Sequence, residues 1–136
     1  MRWLLFVLLA GCPREPPPAC ITVDTSCAPS YVPTFANVYK NTISVSCGAT
    51  NSSCHNAAGH MAGLTLEDQA TAYTKLTSAS QLDPSRMRVV AGDPACSLVI
   101  VRTDSPGKDY QMPPGDPLSD GERCALVQWV EMGAMP

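Results

Sequence analysis

The 136-residue chain has no run of about 20 apolar residues, no basic block, no internal repeat and only two histidines. The first absence excludes an ordinary membrane-spanning helix. The second, with nine Lys and Arg against 12 Asp and Glu and a net charge of −3, excludes a nucleic-acid partner held by phosphate contacts. Aromatics are also scarce, at two Trp, four Tyr and two Phe. One domain of this length with so few large rings is expected to have a thin core that something besides side chains completes.

Cysteine and proline, by contrast, are plentiful, at seven and 13. Arg2 is followed by an apolar stretch from Trp3 to Ala10, closed by Leu9-Ala10-Gly11-Cys12. This resembles the lipobox of bacterial lipoproteins. The resemblance implies a signal peptide over 1–11, cleavage before Cys12 and a diacylated Cys12 that anchors the chain to a membrane face without spanning it. A plain signal peptide, or a short buried helix containing a cysteine, is the alternative. Removing Arg2 leaves eight basic against 12 acidic residues, a mature charge near −4. Residues 13–19, Pro-Arg-Glu-Pro-Pro-Pro-Ala, read as a stiff spacer. The expected organisation is therefore signal peptide 1–11, lipidated cysteine and Pro-rich tether 12–30, and one domain over 31–136.

Within that domain the pattern is helical. Phe35, Val38, Tyr39 and Ile43 form a stripe at three- and four-residue spacing, predicting a helix over about 33–45 with Pro33 in its first turn. Thr65-Leu66-Glu67-Asp68 starts a second helix running to about Leu76. Asp93-Pro94 introduces a third over Cys96 to Val101, where a strand is the competing assignment. Ser119-Asp120-Gly121-Glu122 is a capping box before Leu126, Val127, Trp129 and Val130, so the last helix ends near Gly133. Residues 104–118 hold four prolines and two glycines and must be loop. The expected class is all-α, three to four short helices with long loops.

Chemistry concentrates at Cys54-His55, with Cys47 seven positions earlier. Two thiols followed directly by an imidazole suit covalent haem attachment, although the usual spacing is Cys-x-x-Cys-His. Here Gly48-Ala49-Thr50-Asn51-Ser52-Ser53 forms a longer arc between the sulfurs. Alone, this pattern reads equally as a disulfide-closed loop. Gln111-Met112-Pro113-Pro114-Gly115 adds a thioether in a proline-stiffened loop, a soft ligand that favours reduced iron. His60, the other histidine, is expected in an exposed loop. A copper site built from His55, His60, Met112 and a cysteine is a further reading by residue type.

Taken in order, Cys47, Cys54 and His55, then Ala91-Gly92-Asp93-Pro94 with Ser97-Leu98, then Gln111 to Gly115, then Leu118-Ser119, Gln128-Trp129-Val130 and Gly133-Ala134, resemble the small cytochrome c-like domain of bacterial exported lipoproteins. The resemblance spans about Tyr31 to Gly133. It implies a small cytochrome c-like bundle around one covalent haem c bound by Cys47 and Cys54, with His55 the proximal and Met112 the distal ligand. It also implies an electron carrier rather than an enzyme, exchanging electrons with a redox partner protein. A lipid anchor would hold it at the periplasmic face of a membrane or at the cell surface. Phe35, Val38, Leu64, Leu76, Leu98, Val127 and Trp129 are the expected packing around the ring. The remaining cysteines, 20, 27, 96 and 124, are disulfide candidates, with pairing 20–27 and 96–124 expected by elimination. The alternative function is a haem-free binding or structural lipoprotein in which Cys47–Cys54 is a third disulfide.

Overall fold

The computed structural model describes residues 15–48 and 54–136. The expected signal peptide, Cys12 with its lipid, and the arc from Ala49 to Ser53 lie outside the described residues. Four α-helices and no β-strands occur among the described residues, with a single isolated bridge between Ala79 and Met87. The all-α expectation holds.

Helix α1, Phe35–Val38, begins at Thr34, whose hydroxyl caps the Asn37 N–H, and continues as a π-helical segment over Tyr39–Cys47. The sequence predicted a single α-helix here. The wider winding delivers Cys47 at the end of the segment, and Gly48 N–H closes it on the Ile43 carbonyl. Such segments are frequent where a helix serves a functional site.

Helix α2, Gln69–Leu76, starts later than the sequence suggested. Asp68, expected inside the first turn, is instead the cap, its carboxylate accepting from Thr71 N–H at 2.9 Å. Helix α3, Leu98–Thr103, starts at Ser97 rather than Asp93. Asp93 does accept from Cys96 N–H at 3.1 Å, but that turn ends before the helix begins. Helix α4, Asp120–Glu131, has both halves of the predicted capping box. Gly133, at φ +100°, supplies the left-handed turn beyond it, and Ala134 N–H returns to the Trp129 carbonyl.

Phe35 is the hub of the core, its ring 5.0 Å from Trp129 and 5.1 Å from Tyr73. Val38, Ile43, Leu66, Leu76, Ile100, Leu126, Val127 and Val130 complete the buried cluster. Scarce aromatics suffice because they are gathered at one place. Ile21 and Val23 also pack against the core from outside the predicted domain.

Those two residues belong to a strap. The Arg86 guanidinium donates to the carbonyls of Pro17, Pro18 and Ala19, and Ile21 N–H bonds the Ala95 carbonyl. Gln128 holds the Thr25 and Cys27 carbonyls. Ser30 N–H reaches the Gly121 carbonyl, where a Cβ would collide with the Ser30 side chain. Residues 17–30, read as part of a tether, are thus fastened along the domain.

The disulfide pairing expected from elimination is wrong. Cys20 pairs with Cys96 and Cys27 with Cys124, so each bridge ties the strap to the body of the domain. Elimination favoured partners close in sequence or on adjacent helices. The strap instead runs antiparallel to nothing helical and meets each half of the C-terminal region separately.

Candidate functional site

Cys47 and Cys54 take no part in these two disulfides. Both are partly exposed as residues, yet the Cys47 sulfur is buried. Burial pushes its thiol up to about 11, helped by the Glu122 carboxylate and by Cys54. The thiol is therefore neutral at pH 7.

The backbone brings these cysteines together. At Gly48 a Cβ would meet the Leu66 backbone and side chain at 2.7 Å or less, so only glycine permits the chain leaving Cys47 to lie on Leu66. Leu66 N–H in turn donates to the His55 carbonyl at 2.7 Å. Leu66 is thus the shared seat of both ends of the Cys47–Cys54 arc.

His55 is half-buried, and its Nδ1 lies 3.3 Å from the Leu64 carbonyl. A carbonyl only accepts, so Nδ1 carries the proton in this bond. Burial lowers the pKa of this imidazole; the Leu64 and Met61 backbone works the other way, and Arg88 and Arg102 add to the lowering. A neutral imidazole with a directed lone pair is what a metal requires.

The loop around His55 is compact. Met61 N–H bonds the Cys54 carbonyl, His60 N–H bonds the Asn56 carbonyl, and Ala57 N–H bonds the Glu67 carboxylate. His60 sits at φ +24° and Ala62 at φ +57°, both in the left-handed region where side chains crowd the backbone. His60 is exposed, as expected, with Nδ1 on the Ala57 carbonyl at 3.1 Å.

Met112 is half-buried in the proline loop. Its N–H donates to the Arg102 carbonyl at 2.9 Å. Gln111, buried beside it, ties the loop internally: it accepts from Gly107 N–H and donates to the Pro113 and Gly115 carbonyls at 2.8 and 2.9 Å. The Met112–Pro113 peptide is cis. Arg102 braces this loop twice, its carbonyl accepting from Met112 N–H and its guanidinium donating to the Tyr110 carbonyl.

These residues fit an iron porphyrin. The donor set comprises two thiols outside the disulfides, an imidazole with its outer nitrogen already bonded, and a thioether in a braced loop. Leu64, Tyr39 and Cys47 lie partly buried on the core, while Val45 and Met61 expose 64 % and 59 % of their surface, apolar area that a flat macrocycle could cover. Of the packing residues expected around a ring, Phe35, Val38, Leu76, Leu98, Val127 and Trp129 are buried and Leu64 is partly exposed. No cluster of three or more His, Cys, Asp or Glu suited to a bare metal ion occurs among the described residues.

Residues 52–116 match the family described as Planctomycete cytochrome C. The matched stretch is just under half of the chain and contains Cys54, His55 and Met112; Cys47 lies before it. The match supports a cytochrome c-like domain with haem-based electron transfer as its associated chemistry. No curated protein and no solved structure matches the chain.

Gln111 and Gly48 stood within the motifs the sequence offered, but their bracing roles, and those of Arg88 and the Leu64 carbonyl, were not read there. Arg88 had one available hint, a charge set between Met87 and Val89-Val90.

Proposed function

We propose that the chain is a lipid-anchored electron carrier with one haem c, attached through Cys47 and Cys54 and ligated by His55 and Met112. The observation that carries the reading is Cys54-His55 and Met112 within one cytochrome-like stretch, with His55 Nδ1 already committed to Leu64. When bound, the haem supplies a one-electron couple, and the His/Met pair raises its potential. The chain's own part is positional. Leu64 sets the tautomer and plane of His55, Gln111 and Arg102 hold the Met112 backbone, and Gly48 lets the Cys47 end close against Leu66. His55 and Met112 would hold the iron between them, and the haem would then supply electron exchange with a partner protein rather than a substrate-binding position.

The export signal and Cys12 acylation belong to the same proposal, placing the carrier at the periplasmic face of a membrane or on the cell surface. Among the described residues no helix is long and apolar enough to cross a membrane.

A reduced-minus-oxidised spectrum tests this reading. The wild-type protein should show the sharp visible band of a c-type haem, and Met112→Ala should bind added small ligands such as imidazole that the wild type excludes. A coloured Met112→Ala protein with wild-type spectrum and potential removes Met112 from the ligand set. The second reading, a haem-free binding lipoprotein, is favoured by the two disulfides already present. It requires a colourless protein in which neither Cys47 nor Cys54 reacts with a thiol reagent until reduced.

A further inference from the structure

Arg88 is 6 % exposed, and among the described residues no carboxylate pairs with it. Its guanidinium donates instead to three carbonyls on separate segments: Lys75 at 3.1 Å, Ala79 at 2.7 Å and Ala62 at 3.3 Å. Burying an unpaired cation is costly, so the three carbonyls must be worth collecting. Lys75 lies in the last turn of α2, where the negative end of the helix dipole favours a cation. Ala62 is the left-handed alanine of the turn after His60. An alanine there costs about 1–2 kcal/mol relative to ordinary helical backbone, so the turn needs an external hold. The same turn ends at Leu64, whose carbonyl accepts from His55 Nδ1.

We infer that Arg88 is a positioning residue for His55, keying the 60–64 turn to the C-terminal end of α2 so that the Leu64 carbonyl fixes the imidazole. The guanidinium reaches these carbonyls from two separate nitrogens, Nη1 to Lys75 and Ala79 and Nη2 to Ala62; a lysine keeps the charge and three donors but gathers them at one nitrogen. Arg102, the other cation near His55, bonds the Tyr110 carbonyl and touches neither the turn nor α2 in this way. Arg88 therefore acts by bracing the turn against α2.

The inference rests on the haem reading for its effect on potential but not for its effect on the imidazole. The bond from Nδ1–H to a carbonyl makes the imidazole a stronger donor and favours oxidised iron. Arg88→Lys in the haem-loaded protein should loosen that bond and raise the midpoint potential. The expected change is up to tenfold in the oxidised-to-reduced ratio, about 59 mV for one electron. Nitrogen-15 spectra of labelled His55 give the independent readout: a single Nδ1-protonated form in the wild type, and exchange broadening or a mixed tautomer in Arg88→Lys. An Arg88→Lys protein with wild-type potential and His55 spectrum overturns the inference, as does an Nε2-protonated imidazole in the wild type, which decides the matter if the variant does not fold. A colourless wild type defeats the haem reading alone, and the His55 spectra still judge Arg88.

Discussion

Residues 17–30, α3 and α4 are held by two disulfides, a capping box and a string of strap hydrogen bonds, whereas Gly48 and residues 54–66 are held by a glycine contact, a handful of turn bonds and one buried arginine. The first region spends covalent bonds on permanence. The second carries Cys54 and His55, with Cys47 just before it. The contrast separates a covalently closed scaffold from a segment held by noncovalent contacts alone, and the proposed haem-attachment residues belong to the second. It also accounts for the sorting of cysteines: those closing the scaffold pair across 76 and 97 residues, leaving Cys47 and Cys54 outside.

Breaking the scaffold side should produce the largest effect. The Cys27→Ser/Cys124→Ser double variant opens a loop of 97 residues and should lose about 4 kcal/mol in urea unfolding. Molecules that remain folded should keep the wild-type visible spectrum. Gly48→Ala attacks the other side: the added methyl forces the chain off Leu66, at about 1–3 kcal/mol. It should lower haem loading per chain, measured by absorbance against peptide, while both disulfides still form. If the two variants affected loading equally, the division of labour would be wrong.

Arg86→Ala sharpens the boundary of the strap. Three carbonyl contacts at Pro17, Pro18 and Ala19 vanish while Cys20–Cys96 stays. Stability should fall by about 1 kcal/mol, with faster amide exchange at Ala19 and Ile21 and no change at Leu66.

The smallest effect is expected at Asp104, near the N-terminal end of α4. Burial raises its carboxyl pKa, only partly offset by Arg123, which sits 3.7 Å away. A raised folded pKa means stability is fully present below the unfolded carboxylate range and is lost as pH rises through the folded value. Asp104→Asn should therefore flatten that loss and change stability at pH 7 by less than about 1 kcal/mol after solvent screening. Parallel thermal melts at pH 4 and pH 7 check the sign.

How legible each region was in the sequence follows from the range of its interactions. Helix α4 was fully readable, because a capping box and an apolar stripe are local signals: Ser119, Glu122 and Trp129 all stand where expected. Helices α2 and α3 were found but misplaced at their starts, since Asp68 and Ser97 cap where Thr65 and Asp93 had equal local claims. The π-helical winding before Cys47 has no distinct period over nine residues. Strap and disulfide pairing were illegible, because Cys20 meets Cys96 through tertiary contact alone. At the site, ligand-type residues announced themselves by chemistry at His55 and Met112. Their supports, Leu64, Gln111 and Arg88, act through backbone carbonyls, which every residue owns and no sequence pattern marks.

The most direct test of the account is the intact mass of the mature protein, made in a host that attaches haem and unfolded before measurement. The account predicts the acylated polypeptide plus one haem, with visible absorbance that persists in denaturant because the cysteines hold the ring. A mass with no increment for haem, and no absorbance beyond the ultraviolet, would contradict it.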